Sequence, residues 1–244
     1  MLNRRTQSRS RSLIALVCVL LLAAVAVPAS RNEGTAQAKE RVDLVLVLAV
    51  DCSWSVNGAE YQLQIEGMAR AFQDPAVLEA IQSGQLKRIA VTVVQWASNS
   101  QQVVTMPWQV ISSAADAHAV SAIIDAMPRS VSDGGTSITT VLKFSAKMIL
   151  EAPFSFSRAV IDVATDGRNN NGGDPRPVRD LIGGAGITVN GLTILTEFPN
   201  LQKYFDENIT TGPYRFVVSA NSYAGYARAI RKKLLKEIKG PPIS

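Results

Sequence analysis

The sequence is poor in cysteine and histidine, and these shortages exclude several kinds of protein. Two of its 244 residues are cysteines, and only Cys52 lies beyond the first 29 residues, so the remainder cannot form an internal disulfide. The one histidine, His118, lies in a helical pattern away from any strand end, which argues against a Ser-His-Asp triad. With 47% hydrophobic and 18% charged residues, the composition is that of an ordinary globular protein and excludes a disordered, collagen-like or disulfide-scaffold chain.

An excess of positive over negative charge is also lacking outside the N-terminal segment. The formal net charge is +5, but four of the 25 basic residues and none of the 20 acidic residues lie within residues 1–29. The remainder therefore carries 21 basic and 20 acidic residues. Such a near-neutral balance supplies no basic surface of the kind that nucleic acids need, and we expect no nucleic-acid partner.

Residues 1–29 have the pattern of a signal peptide. Four arginines precede an apolar run from Leu13 to Val27, which ends at the small-residue site Val27-Pro28-Ala29. The run is shorter than the ~20 apolar residues that a membrane-spanning helix needs. We therefore expect export to a bacterial periplasm or secretion, with membrane contact only through this leader if it stays uncleaved.

The rest of the chain reads as one domain with short flanking segments. Residues 30–40 are polar and predict a disordered N-terminal arm, residues 41–239 a single domain, and residues 240–244 a C-terminal tail. No internal repeat, low-complexity block or Pro/Gly/Ser-rich linker divides the domain.

Strand and helix patterns alternate along this domain. The runs 42–50 (VDLVLVLAV), 89–96, 103–108, 158–165, 187–195 and 215–219 predict strands, and 59–72, 114–127, 137–150, 177–181 and 222–239 predict helices. Pro107 places the third strand at an edge or a strand end. Continuous aliphatic strands are typical of a parallel sheet buried on both faces. The pattern predicts an α/β fold with a mostly parallel sheet between two layers of helices.

The last predicted helix is amphipathic and basic. Its apolar stripe includes Tyr226, Ile230 and Leu234, and Lys233 falls on the opposite face with Arg231, Lys232, Lys236 and Lys239. A helix of this kind can lie on a membrane. A solvated face on a terminal helix explains the pattern more simply.

Oxygen-bearing side chains follow the first predicted strand. In Asp51-Cys52-Ser53-Trp54-Ser55, alternate residues share one face of an extended backbone, so Asp51, Ser53 and Ser55 point in one direction. Cys52 points away from them, as a buried, unreactive cysteine would. An N-cap after a strand explains this string equally well when it is taken alone.

Two further groups of donors belong to other elements. Asp166 follows the aliphatic strand that ends at Thr165, and Gly134-Gly135-Thr136 forms a glycine turn before a helix. In α/β folds ligands bind at the carboxyl ends of the strands, where Asp51 and Asp166 would repel each other unless a cation lay between them. Two carboxylates and three hydroxyls predict a site for Mg²⁺, with Mn²⁺ or Ca²⁺ as alternatives.

The pieces together resemble a known family. The DxSxS string, the later threonine and the later aspartate resemble the metal-ion-dependent adhesion site (MIDAS) of a von Willebrand factor A (VWA) domain. Four sequence segments are similar to those of DUF1194, a bacterial family of exported VWA-like proteins of unknown function. They are VDLVLVLAVDCSWSV, GGTSI, VIDVATDGRNNNG and GITVNGLTIL. The resemblance covers residues 41–239.

The resemblance implies a three-layer, doubly wound fold with strand order 3-2-1-4-5-6 and one antiparallel edge strand. It implies a metal held directly by Ser53, Ser55 and Thr136, with Asp51 and Asp166 acting partly through water. It also implies an open coordination position that an acidic side chain of a protein partner completes. Catalysis is not part of this expectation.

Residues around these donors are candidates for partner binding. Trp54 is bulky where the family's first loop has something small, and Arg168, Asn169 and Asn170 follow the second aspartate. We expect these four residues to rim the metal and to shape partner choice.

Two alternative functions remain open. A haloacid-dehalogenase-type phosphatase would use Asp51 as nucleophile, but it needs a second aspartate where this sequence has Ser53. The metal could also be purely structural and hold three loops together.

Overall fold

The computed structural model describes residues 38–240, and these form one six-stranded sheet with helices on both faces. The predicted signal peptide and most of the predicted arm and tail lie outside the described residues. The strands are β1 (Glu40–Asp51), β2 (Ile89–Trp96), β3 (Gln102–Ile111), β4 (Phe154–Thr165), β5 (Thr188–Ile194) and β6 (Val217–Ala220). The helices are α1 (Gly58–Gln73), α2 (Pro75–Gln82), α3 (Ala114–Asp125), α4 (Ile138–Leu150), α5 (Arg176–Gly184), α6 (Leu201–Asn208) and α7 (Tyr226–Lys239).

The strand order is β3-β2-β1-β4-β5-β6, and β3 alone runs antiparallel to its neighbour. Both the predicted order and the single antiparallel edge strand are confirmed. Pro107 is accommodated within β3 because this strand has a neighbour on one side only.

The aliphatic run of β1 lies at the centre of the sheet and fills two cores. Leu44, Leu46 and Leu48 pack with α1, α2, α3 and α7, whereas Val45 and Val47 pack with α4, α5 and α6. Each face of β1 is thus covered by helices, which is why its sequence is continuously apolar instead of alternating.

Several element boundaries differ from the sequence-based prediction. The pattern predicted neither α2 nor α6, both of which have eight residues. Helix α7 begins at Tyr226 and not at Ser222, because a 3-10 turn (Tyr223–Gly225) precedes it. Within residues 38–240, every helix is too short or too polar to span a bilayer.

The prediction of a solvated Lys233 is wrong. Its side chain is fully buried, and its ammonium group lies 2.7 Å from an Asp162 carboxylate oxygen of β4 and also bonds Glu237 one helical turn later. Asn190 of β5 donates a further hydrogen bond to Glu237 at 2.9 Å. Burial, partly opposed by Lys233, raises the pKa of Asp162 to about 7.

Candidate functional site

The side chains of the predicted donor set meet at the carboxyl edge of the sheet. Asp51 ends β1, and Asp166 follows the last residue of β4. The two strands are neighbours, with Val50 paired to Ala164, so their tips lie side by side. Thr136 belongs to the loop that leads into α4 and comes from the same edge.

Hydrogen bonds join the hydroxyl groups and one carboxylate into a chain. Thr136 Oγ1 lies 3.3 Å from Ser53 Oγ, and Ser53 Oγ lies 3.4 Å from Ser55 Oγ. The Ser55 hydroxyl donates to Asp166 Oδ1 at 2.6 Å. Asp51 Oδ1 accepts a 2.7 Å hydrogen bond from the Ser53 backbone N–H. The structure therefore brings all five predicted donor residues together.

Asp51 is the most deeply buried member of this group. Its side chain is inaccessible to solvent, and its second oxygen accepts a hydrogen bond from the Thr165 hydroxyl. The pKa of Asp51 is raised to about 7, mainly by burial; the hydrogen bond from Thr165 lowers it, the nearby Asp166 raises it, and the hydrogen bonds from Ser53 lower it. Sequence reasoning missed Thr165, although its position between the strand and Asp166 was a usable signal.

Asp166 has a second hydrogen-bond partner that the sequence did not reveal. The buried Tyr223 hydroxyl, from the 3-10 turn before α7, donates to Asp166 Oδ2 at 3.0 Å. Burial and the two neighbouring aspartates raise the pKa of Tyr223, so this hydroxyl remains a donor. A tyrosine 57 residues away in sequence meets the site only through the tertiary fold.

The two aspartates have no positively charged partner in the described part of the chain. Every salt bridge found among residues 38–240 involves other carboxylates. Those residues also contain no cluster of three or more His, Cys, Asp or Glu side chains. The candidate donors are thus two carboxylates and three hydroxyls, and all of them are oxygen ligands.

The backbone of the first loop is held by neighbouring segments. The Arg129 guanidinium donates to the Cys52 carbonyl at 2.8 Å, and the Trp54 N–H donates to the Gly134 carbonyl at 3.1 Å. Gly134 has φ +122°, a conformation that glycine adopts readily. Cys52 itself is buried on the far side, and burial raises the pKa of its thiol to about 12, so it contributes no thiolate ligand.

Gly167 lies close to Thr136 on the Asp166 side. A methyl group at Gly167 would lie 3.1 Å from Thr136 Oγ1, a tight contact. A side chain at this position would displace the threonine hydroxyl by a few tenths of an ångström. Gly167 therefore permits the close approach of the two loops.

Residues predicted for the rim divide into two groups. Trp54, Arg168 and Asn170 line an open cleft of about 410 Å³ above the donors. Asn170 also braces the loop, since its Oδ1 accepts from the Thr136 N–H at 2.8 Å. Asn169 does not line the cleft, and its side chain instead accepts from the Thr139 N–H at 3.1 Å and donates to the Gly173 carbonyl at 2.7 Å.

The cleft has a mixed apolar and charged wall. Trp54 is 76% exposed, and the Arg168 guanidinium lies 5.6 Å from the Phe198 ring centroid and 5.5 Å from that of Tyr204. Glu197 lines the same cleft. The segment that carries Glu197 and Phe198, after β5, was not identified from the sequence because it contains no motif of its own.

The fold is that of a von Willebrand factor A domain, and solved structures with this fold are similar over most of the described chain. Proximal thread matrix protein 1 from the mussel byssus is 18% identical with a TM-score of 0.59, covering 83% of this chain and 49% of that protein. A von Willebrand factor type A protein from Catenulispora acidiphila is 18% identical with a TM-score of 0.56, and the match covers 81% of this chain and 43% of that protein. BatB from Bacteroides thetaiotaomicron is 16% identical with a TM-score of 0.52, and the match covers 81% of this chain and 100% of that protein. At these identities the likeness shows the fold alone.

The chain thus spans less than half the length of the first two of these structures. A further structure of the mussel protein has a zinc-occupied MIDAS motif, at 19% identity and a TM-score of 0.57, covering 83% of this chain and 49% of that one. No curated protein matches this sequence. The family described as "Protein of unknown function (DUF1194)" matches residues 41–242, and the chain belongs to that family.

Proposed function

We propose that the protein is an exported VWA-like module that binds one divalent cation and uses it to engage a protein partner. Ser53, Ser55 and Thr136 would bind the ion directly, and Asp51 and Asp166 would act partly through water. The exported location rests on the signal-peptide pattern of residues 1–29. No catalytic step is part of this function.

The observation that carries the proposal is a pair of buried carboxylates that form no salt bridge with any Lys or Arg among residues 38–240. Asp51 and Asp166 are at most 1% exposed, and burying an ionised carboxylate is costly unless a positive charge or hydrogen bonds compensate it. Hydrogen bonds from Thr165, Ser55 and Tyr223 compensate part of this cost. A divalent cation beside them would compensate the remainder.

The chemistry of the donors favours a hard cation. Hydroxyl and carboxylate oxygens suit Mg²⁺, Mn²⁺ and Ca²⁺, whereas zinc sites are built mainly from thiolate and imidazole. The thiol of Cys52 faces the core, and the imidazole of His118 belongs to α3. Few anionic ligands and an open cleft with room for water favour Mg²⁺.

The cleft above the donors suits a partner that brings its own carboxylate. An acidic side chain entering there would reach the ion and complete its coordination. The exposed Trp54 ring would add apolar contact, which is typical of residues that dominate binding energy at interfaces. The Arg168 guanidinium would add a charge-assisted contact at the rim.

A phosphatase reaction fits the geometry less well. Both carboxylate oxygens of Asp51 are already engaged, by the Ser53 N–H and the Thr165 hydroxyl, and the group is inaccessible to solvent. A nucleophile needs an accessible lone pair and a nearby general acid, and the position for that acid is occupied by Ser53.

The metal site is tested by thermal unfolding with and without Mg²⁺. Asp51→Ala and Asp166→Ala should each abolish the Mg²⁺-dependent rise in Tm while circular dichroism reports a folded protein. Asp206→Ala is the matched control, since Asp206 is exposed on α6 and its variant should retain the rise. If both site variants keep the full Mg²⁺-dependent rise in Tm, Asp51 and Asp166 do not take part in metal binding.

Partner engagement is tested separately from metal binding. The wild-type protein, immobilised on beads, should retain an envelope protein in Mg²⁺ and release it in EDTA, and Asp51→Ala should retain none. Trp54→Ala should weaken retention while preserving the Mg²⁺-dependent rise in Tm. Retention that survives EDTA at a temperature where the fold persists would instead favour a purely structural metal.

A further inference from the structure

Within residues 38–240, the last strand of the sheet has one edge that no other strand pairs with. β6 is the outermost strand beside β5. The carbonyl of Phe216, just before β6, accepts from the Gly191 N–H of β5, and the Ala220 carbonyl accepts from the Leu195 N–H just after β5. Because backbone polar groups alternate along a strand, the N–H and C=O groups of the intervening Val217 and Ser219 point away from β5. These groups can pair with another extended chain.

Two clefts, together called the groove, lie beside this edge. The upper cleft has a volume of about 490 Å³ and is lined by β6 and by Arg228 of α7. The lower cleft has a volume of about 630 Å³ and is lined by the segment Tyr214–Phe216 and by Lys236 and Lys239. Lys232 lines both clefts, so the two adjoin at this side chain.

The charge in the groove is of one sign. Arg228, Lys232, Lys236 and Lys239 project from one side of α7 and are exposed. None of them forms a salt bridge with a carboxylate in residues 38–240. In the described part of the chain, no acidic residue lines either cleft. This local concentration of positive charge contrasts with the near-neutral balance of the chain beyond its leader.

We propose that the β6 edge binds an extended acidic segment of a partner protein as an added strand. Arg228 and Lys239 lie about 16 Å apart along the axis of α7, at ~1.5 Å per residue. A strand of about five residues covers that length at ~3.3 Å per residue. Alternate side chains of such a strand would face α7, so acidic residues at every second position would meet the cations.

The same features select against other occupants. A second copy of this edge would bring its own row of cations, and like charges opposed across a pairing are destabilising. The short strand and flanking lysines likewise protect the edge from uncharged strands. A bilayer surface could contact the cations but offers no extended backbone to pair with the N–H and C=O groups of β6. The inference is independent of the metal site, so EDTA should not affect this binding.

A fluorescent peptide of alternating glutamate and valine is the probe, and its binding is measured by anisotropy in EDTA. The wild-type protein should bind it, and Lys232→Glu/Lys236→Glu should weaken binding by at least about tenfold, because two attractive contacts become repulsive. Lys143→Glu/Lys203→Glu makes the same change of net charge on exposed lysines of α4 and α6. This control should bind like the wild type.

Strand addition is separated from simple charge attraction by changing the backbone. A peptide N-methylated at alternate nitrogens keeps its charges but loses donors, and it should bind at least about tenfold more weakly. On the protein side, Ser219→Pro removes the outward N–H whereas Ser219→Ala keeps it, so the proline variant alone should bind weakly. The peptide arm keeps the test decisive if the proline variant is unstable.

The proposal would be overturned if the peptide does not bind, or if its N-methylated form binds equally well. It would also be overturned if the double charge reversal leaves binding unchanged, or if the protein binds phosphatidylglycerol vesicles in preference to the peptide. Self-association that the double charge reversal alters would assign the edge to a second copy of the chain, and would likewise contradict an acidic partner.

Discussion

Replacing Asp51 with asparagine is expected to stabilise the metal-free protein near neutral pH and to abolish its response to Mg²⁺. The Asp51 carboxylate is fully buried, and this burial raises its pKa from 3.8 to about 7. That change corresponds to roughly 4 kcal/mol in favour of the unfolded chain at about pH 8. Asparagine removes the charge that causes this cost, and it keeps an acceptor for the Ser53 N–H.

The net gain is smaller than the electrostatic cost. The pKa of about 7 already includes the charge-assisted bond from the Thr165 hydroxyl. The asparagine amide presents N–H groups to this hydroxyl, which donates to Asp51, so the variant loses in addition one neutral hydrogen bond, which costs about 1 kcal/mol. We therefore expect a net stabilisation of about 3 kcal/mol. For a domain of this size, 1 kcal/mol shifts Tm by roughly 2–4 °C, so Tm should rise by about 6–12 °C in EDTA.

The pH dependence identifies the carboxylate as the cause. Because the pKa of Asp51 is raised in the folded state, its favourable contribution is complete below about pH 4 and is lost as the pH rises through about 7. The advantage of Asp51→Asn should therefore vanish near pH 4. Asp206→Asn removes an exposed charge and should change Tm little at either pH. An Asp51→Asn variant with a lower Tm than the wild type at pH 8 would contradict this explanation. So would a variant whose Tm exceeds that of the wild type by the same amount at pH 4 and at pH 8.

Two further substitutions test the packing between α7 and the rest of the fold. Lys233→Met leaves two buried carboxylates without their cation and should lower the free energy of unfolding in urea by about 3–5 kcal/mol, whereas the exposed Lys232→Met should change it little. A loss for Lys233→Met below about 1 kcal/mol would contradict the buried ion cluster. A methyl group at Gly67 would lie 2.8 Å from the Tyr226 ring, so Gly67→Ala should cost about 1–3 kcal/mol. Gly58→Ala, where nothing lies within 4 Å, is its control, and equal effects would contradict the close contact.

The fold was predictable where one physical signal dominated. From Leu44 to Val50, β1 has no polar residue, and such a run is typical of a strand covered on both faces. Helix α2 begins at Pro75, directly after its N-cap Asp74, which is a common helix start, but its eight residues are too few for a clear periodic pattern. Helix α6 was not predicted because it is equally short and because only two of its residues, Leu201 and Phe205, are buried.

The candidate site was predictable where donors lie at strand ends. Asp51 and Asp166 follow aliphatic strands directly, so their position at one edge follows once the strands are parallel neighbours. Tyr223 was not predictable, because its contact with Asp166 depends on how the turn before α7 packs. The burial of Lys233 was not predictable, because a lysine in a basic stretch is ordinarily solvated and its carboxylate partner on β4 is distant in sequence.

Anomalous scattering from crystals soaked in Mn²⁺ tests the central claim most directly. The manganese ion provides a signal that identifies its position without reference to activity or stability. The account predicts one strong peak within coordination distance of the hydroxyl oxygens of Ser53, Ser55 and Thr136, and no peak there in Asp51→Ala crystals. A wild-type map with no peak at these hydroxyls, while the ion is bound elsewhere on the protein, would contradict it.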